Sequence, residues 1–342
     1  MGTDVPLRVL HLVGSPVSEF FGDLSRLYAQ DCLDATADPQ RYEVHLAHVT
    51  PDGAWRFPGG LRAADLEAAE PLSAAAAVAR LTSLELDLMV PQMFCLPGMT
   101  TYRALFDLLG IPYVGNTPDV MALTAHKART KAVVAAAGVQ VPAGEVLRAG
   151  EAPTTRPPAV LKPVDGDNSV GVALVHDPVD YDDALRAAFT HTREVLVEPF
   201  IELGREVRCG IVVRDGELVC LPLEEYAMDA VSKPVRGQDD KLDRDGDGDL
   251  RLVAKEATRA WIVDPADPLT ERVWEVARIC HLALGCRHYS LFDFRIDPDG
   301  QPWFLEAGLY CSFAHKSVIS VMARAADIST PELFAIAVRA AL

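Results

Sequence analysis

Short apolar runs alternate with helical patterns through the first third of the chain. That alternation restricts it to a parallel sheet covered by helices on both faces. Leu7 to Val13 is an apolar run that ends at Gly14-Ser15, and a helix is expected through Phe20 to Cys32. Tyr42 to Val49 alternates apolar and polar, and Thr50-Pro51-Asp52-Gly53 closes it. Residues 61–82 carry a helical period, Leu86 to Val90 a buried strand, 101–109 a helix and Pro112-Tyr113-Val114 a further strand. Ligands in such sheets bind at the carboxyl ends of strands, where Gly14-Ser15 and the loop Gln92 to Gly98 lie.

The middle of the chain changes character. Thr124 is expected to cap a helix that runs to Ala137 and stops at Gly138. Lys127 and Lys131 share one face of it. Pro158 to Pro163 reads as a strand with Lys162 near its end, and Asp165-Gly166-Asp167-Asn168-Ser169-Val170-Gly171 leads into a second strand, Val172 to Val175. A small-residue loop lets backbone N–H groups approach phosphate oxygens, and the lysine before it supplies a point charge. It is not a Walker A loop, which needs a helix and a G-K-[ST] ending. A helix at 178–190 precedes the strands Val195 to Ile201 and Gly204 to Val213. Glu198 and Glu206 flank their connection, placed for a nucleoside whose adenine takes backbone groups and whose ribose takes a carboxylate.

Near the C-terminus, Tyr289 to Ile296 and Gln301 to Gly308 read as the arms of a hairpin. Asp299-Gly300 signals a two-residue turn. That turn sets Asp293 opposite Glu306 and Leu291 opposite Gly308, with Phe292, Phe294 and Leu305 pointing to a core. Carboxylates roughly 5 Å apart repel unless neutralised. A divalent cation such as Mg²⁺ does this, completing its shell with substrate phosphates. The alternative is a surface hairpin whose acids happen to align.

With 342 residues, 49% of them hydrophobic, the chain can bury more than one core. A net charge of −17 without a basic run argues against a nucleic-acid groove. Nucleotide phosphates would then need specific lysines and a metal. Seven scattered cysteines without a C-x-x-C pair argue against zinc and disulfides and suit a reducing cytoplasm. The first residues lack a signal-peptide pattern, and no stretch has the length and apolarity of a membrane span.

Tyr113-Val114-Gly115-Asn116, His126-Lys127, Val160-Leu161-Lys162-Pro163, Ser169-Val170-Gly171, Val197-Glu198-Pro199-Phe200, Gly204-Arg205-Glu206-Val207, Phe292-Asp293-Phe294-Arg295 and Leu305-Glu306-Ala307 follow one another here. In that order they resemble the ATP-grasp superfamily, most closely its D-alanine–D-alanine ligase branch. The resemblance implies an α/β domain over 1–123, followed by two α+β lobes over 124–201 and 202–342 that enclose ATP. It implies that a carboxylate and ATP form an acyl phosphate, which an amine then attacks. Carried over by motif, Lys127 and Lys162 hold the phosphates and Ser169 closes over them. Glu198, with backbone of Phe200 and Ile201, takes adenine, and Glu206 binds ribose. Asp293 and Glu306 ligate Mg²⁺ or Mn²⁺. Glu19 resembles the acid that steadies the first substrate's amino group, and Ser317 a hydroxyl near the second substrate. A homodimer is expected from the family alone.

The chain departs from that pattern. Gly308 stands where the family has a metal-binding Asn, and Leu291 where it has an Arg that steadies the oxyanion. Pro91 to Cys95 replaces a motif of His, Gly and acids, and Gly166-Asp167-Asn168-Ser169 replaces Glu-Gly-Ser-Ser. Small amino-acid-like substrates in specialised metabolism are therefore expected rather than cell-wall dipeptide synthesis. The alternative is a nucleotide-binding protein that has lost ligation or only transfers phosphate. Residues 229–256 occupy the place of a mobile active-site loop, where Lys233 and Arg236 are candidates for substrate contact and Lys241 reads as a solvated cation. Arg208 is the candidate to replace the missing Arg. Asp243 to Leu250 resembles a calcium loop, but its twelfth position is Ala254, so a mobile acidic loop is expected instead.

Overall fold

The computed structural model describes residues 5–166, 169–236, 242–244, 250–252 and 260–342. Its first sheet has the strand order Trp55–Arg56, Tyr42–Val49, Leu7–Gly14, Leu88–Pro91, and the last three are parallel. The central strand is buried continuously from Val9 to Gly14, as a parallel strand covered on both faces must be. Pro112 to Val114 forms only a bridge, Met89 to Tyr113. The helical stretch 61–82 is two helices, Ala63–Ala68 and Ala74–Ser83. Pro71 disfavours helix in the residue before it, and Ser73 caps the second helix by accepting from the Ala76 N–H at 3.3 Å.

The second sheet is antiparallel, ordered Glu145–Arg148, Glu194–Pro199, Ala159–Pro163, Ala173–Val175. The helix Tyr181–Ala188 packs on it through Tyr181 and Leu185. The third sheet runs Ala260–Ile262, Glu224–Tyr226, Arg205–Arg214, Tyr289–Ile296, Pro302–Ala307, with Glu217–Cys220 paired to Arg205–Arg214. Helix Leu269–Ala283 covers its core of Phe292, Phe294 and Phe304. Thr124 does not cap the lysine-bearing helix. It ends the preceding helix, Pro118–Thr124, and the His126 ring caps Lys127–Ala136 by accepting from the Arg129 N–H at 3.4 Å.

The hairpin turn has three residues, not two. Asp297 N–H donates to Gln301 O at 3.1 Å, and Gly300 takes φ +82°. This shifts the register by one, so Phe294 pairs with Phe304. An irregularity between Asp293 and Phe294 shifts it back, so Asp293 still opposes Glu306. The bulged residue is Leu305, which lines a cleft instead of joining the core.

One core is shared by distant parts of the chain. The last helix, Thr330–Ala341, packs Phe334 and Val338 against Val9 and Val90 of the first sheet. Residues 242–244 pair with 250–252 as an antiparallel ladder where a loop was expected. The tip of that acidic loop, the phosphate-loop residues Asp167 and Asn168, and Lys241 lie outside the described residues. Among the described residues no helix is long and apolar enough to cross a membrane.

Candidate active site

The second and third sheets face each other across a cleft lined by Lys127, Lys162, Ser169, Glu198, Ile201 and Glu306. Lys127 begins its helix, which aims its ammonium at the cleft. There it donates to Gly166 O and lies 3.8 Å from Glu306 Oε2. Lys162, on the strand Ala159–Pro163, lies 2.7 Å from Glu198 Oε2, while Lys131 bonds Glu198 Oε1. Glu198 is only 2% exposed. Burial pushes its carboxyl up, but Lys131 and Lys162 outweigh that and hold it below its usual range. Burial pushes Lys131 down to about 7 against the pull of Glu198. One carboxylate thus holds two lysines, and only Lys162 of these two reaches the cleft. Ser169 takes φ +59° at the rim. Gly171, at φ +71°, has no room for a side chain, since a Cβ would sit 2.9 Å from Pro163.

Val160, Val172, Ile201 and Leu305 give the cleft an apolar lining suited to a purine. Phe200, expected to offer its backbone to adenine, is not among the cleft-lining residues. Its N–H donates to Pro158 O at 2.9 Å, and its ring lies 5.2 Å from the Arg295 guanidinium. Ile201 O accepts from Arg295 at 3.1 Å. Glu206 lines the cleft, but both its oxygens are engaged, by Arg236 and Arg295, each at 2.7 Å. In this arrangement it is a linchpin between two arginines rather than an open ribose acceptor.

Asp293 is engaged in the same way. Arg208 grips both its oxygens, and Arg236 bonds Oδ2 at 2.6 Å. Burial alone would lower Arg208 and Arg236, yet Asp293 outweighs it and raises both. The Tyr226 ring lies beneath Arg236, 4.0 Å from its guanidinium carbon. Glu306, opposite Asp293, keeps about a third of its side chain exposed, at 32%. Among the described residues no group of three acids, histidines or cysteines could hold a metal. Two facing carboxylates suit Mg²⁺, which is commonly bound by one or two carboxylates plus phosphates and water, but Asp293 would have to exchange Arg208 and Arg236 for the cation.

A second cavity, of about 290 Å³, opens beside the cleft and shares Lys127, Gly166, Arg236 and Glu306 with it. Arg208, Lys233 and Ser317 line it. Ser317 sits at the N-terminal boundary of the helix Val318–Arg324, and its hydroxyl donates to that of Ser320 at 2.9 Å. Glu19 is exposed on the first turn of helix Glu19–Thr36 and does not line the cavity. The same helix presents Phe21, Leu24 and Tyr28 instead, three residues at helical spacing. The loop after Leu88–Pro91 enters through Phe94. Gln92 holds that loop, accepting at its backbone O from Ser25 at 2.7 Å and donating to Ser312 O at 3.2 Å. Sequence reasoning missed Phe94, Tyr310, Tyr226 and Arg295. Their only local signal was proximity to motif residues, as Arg295 follows Asp293 by two.

The family described as "D-ala D-ala ligase C-terminus" matches residues 143–339. The chain belongs to that family. It is an ATP-dependent ligase that forms carbon–nitrogen bonds. It is 32% identical over 243 residues to the D-alanine–D-alanine ligase of Azorhizobium caulinodans, covering 68% of this chain and 73% of that one. With the same enzyme of Corynebacterium diphtheriae it shares 29% identity over 317 residues, 83% of this chain and 84% of that one. The D-Ala:D-Ser ligase VanG of Enterococcus faecalis shares the fold, with a TM-score of 0.77 at 22% identity over 99% of this chain and all of that one. The Bacillus anthracis D-alanine–D-alanine ligase, solved with ATP, superposes with a TM-score of 0.71 at 20% identity, covering 98% of this chain and 97% of that one.

Proposed function

We propose that this ligase joins small amino-acid-like substrates through an acyl phosphate and is not a cell-wall D-alanyl-D-alanine synthase. The observation that carries this reading is the junction of cleft and cavity at Lys127, Gly166, Arg236 and Glu306. ATP in the cleft would set its phosphates against Lys127 and Lys162, with its γ-phosphate at that junction. A substrate carboxylate oxygen in the cavity attacks the γ-phosphorus, and the bond to ADP breaks. The amine of the second substrate then attacks the acyl carbon, phosphate leaves, and an amide remains. Asp293 and Glu306 would hold a divalent cation there, neutralising phosphate charge.

The departure from D-alanine ligation is centred on the hairpin. Leu291 and Gly308 both line the cavity, and Gly308 N–H donates to Leu291 O at 2.9 Å. No guanidinium projects from this pair. Arg208, paired with Asp293 across the adjacent strand, lines the same cavity and would serve the oxyanion once a cation replaces it on Asp293. Arg208→Ala should therefore abolish amide formation while ATP affinity stays within a few fold. Phosphate release from MgATP across an amino-acid panel, with mass spectrometry of the products, tests the whole reading. D-Alanyl-D-alanine made at ~1 s⁻¹ or faster, a rate typical of enzymes, would overturn it. ADP without amide in every pairing would favour a phosphotransfer protein.

A further inference from the structure

The substrate cavity has two chemically different parts. The part shared with the cleft carries Lys127, Arg236 and Glu306, with Arg208 beside Arg236. The part not shared with the cleft carries an aromatic wall built from three separate segments. Tyr28 comes from the helix Glu19–Thr36, Phe94 from the loop after Leu88–Pro91, and Tyr310 from the chain after the hairpin. Their rings form one run, with centroids 5.1 Å apart from Tyr28 to Phe94 and 5.3 Å from Phe94 to Tyr310. Leu24 and Leu291 extend the apolar lining, and a Cβ added at Gly308 would meet nothing within 4 Å.

The volume of about 290 Å³ lies near the low end of the roughly 300–1,000 Å³ found for small-molecule sites. It must hold the bodies of both substrates, so the aromatic wall and not the volume indicates the side chain. A methyl-bearing substrate would offer the Tyr28–Phe94–Tyr310 wall little apolar surface to pack against. The lining also runs against the chain's charge. The protein carries −17 overall, whereas among the described residues this cavity presents Lys127, Lys233 and Lys316, with Arg208 and Arg236 held from behind by Asp293 and Glu206, against Asp165 and Glu306. A cationic end continuous with an aromatic pocket suits a carboxylate on a bulky apolar body.

We propose that the acid activated by this ligase is an amino acid with an aromatic or comparably bulky apolar side chain. Its carboxylate lies at the Lys127–Arg208 end and its side chain against the Tyr28–Phe94–Tyr310 wall. This rests on the ligase function proposed above. One methylene in a hydrophobic pocket is worth about 10–200-fold in kcat/KM, so phenylalanine or tyrosine should exceed alanine by at least about tenfold.

Hydroxylamine, which captures an acyl phosphate whatever the natural amine, makes the test independent of the second substrate. The full chain with MgATP is offered phenylalanine, tyrosine, leucine and alanine in both configurations, and hydroxamate is measured. An aromatic acid is expected to give the highest kcat/KM. Tyr28→Ala, at a half-buried ring, should lower that value tenfold or more and leave the KM for ATP unchanged. Phe94→Leu, which preserves apolar volume, should act in the same direction. Equal or better use of alanine overturns the proposal while the ligase function stands. If no acid yields hydroxamate, calorimetry with MgADP separates the two claims. Phenylalanine bound at least tenfold tighter than alanine supports the pocket assignment and sinks ligation, whereas equal binding or none sinks both.

Discussion

Glu198 holds Lys131 and Lys162 with its two oxygens. Lys162 can leave it for a phosphate while Lys131 keeps its hydrogen bond to Glu198 Oε1. Losing the Lys162 contact should cost on the order of 2–3 kcal/mol of nucleotide binding. Lys162→Ala should therefore weaken ATP affinity by tens of fold, and unchanged affinity by calorimetry would remove Lys162 from the phosphate site. Lys131 makes a separate prediction about pH. Burial lowers it from 10.5 to about 7 in the folded protein. Between those values the unfolded chain binds more protons, so stability rises with pH across that window. Lys131→Met should flatten this rise in urea unfolding measured from pH 7 to 10, and an unaltered slope would refute the assignment. The positions of Lys127 and Lys162 were legible in the sequence because each lies beside its own helix start or strand end. The engagement of Glu206 and Asp293 was not, because Arg208 and Arg295 come from two strands of the third sheet and Arg236 from the chain after Glu224–Tyr226.

At the scale of elements, the hairpin shows how a sequence can give a correct pairing through a wrong turn. Asp299-Gly300 suggested two turn residues, whereas Asp297 closes the loop through three. Asp297 favours that longer loop because its side chain accepts from Gln301 N–H and Trp303 Nε1, both at 2.8 Å. The bulge at Leu305 cancels the shift, and Asp293 and Glu306 remain opposed. Bulges re-aim side chains next to active sites, and this one turns Leu305 into the cleft between the second and third sheets. Two residues beyond Glu306, Gly308 has a backbone compatible with a side chain and open space before it. Asn there would add an oxygen ligand beside the paired acids. Gly308→Asn should then lower the Mg²⁺ concentration needed for half-maximal ATP turnover. A higher requirement would mean that this position does not adjoin the metal.

At the scale of the molecule, the alternation that opens the chain correctly implied a parallel sheet, but not what covers it. Nothing in the pattern of residues 330–341 points to the first sheet, since a buried apolar helix suits any core. Yet Phe334 packs there, its ring 5.3 Å from Tyr42, 6.3 Å from His11 and 5.3 Å from Phe313. Asn116 makes a second tie. Wholly buried, it donates to Tyr289 O at 3.1 Å and accepts from the Arg287 N–H at 2.8 Å. These ties fix the wall bearing Tyr28 and Phe94 relative to the sheet bearing Arg208 and Asp293, so the cavity depends on them. Phe334→Ala should cost about 3–5 kcal/mol, as for other buried Phe truncations. If the first and third sheets share one cooperative core, amide exchange should accelerate together in Leu7–Gly14 and Tyr289–Ile296. The increase should be about a hundredfold or more in both, since each 1.4 kcal/mol is a factor of ten. Acceleration confined to one strand would show that the two sheets open independently and that Phe334 does not join them.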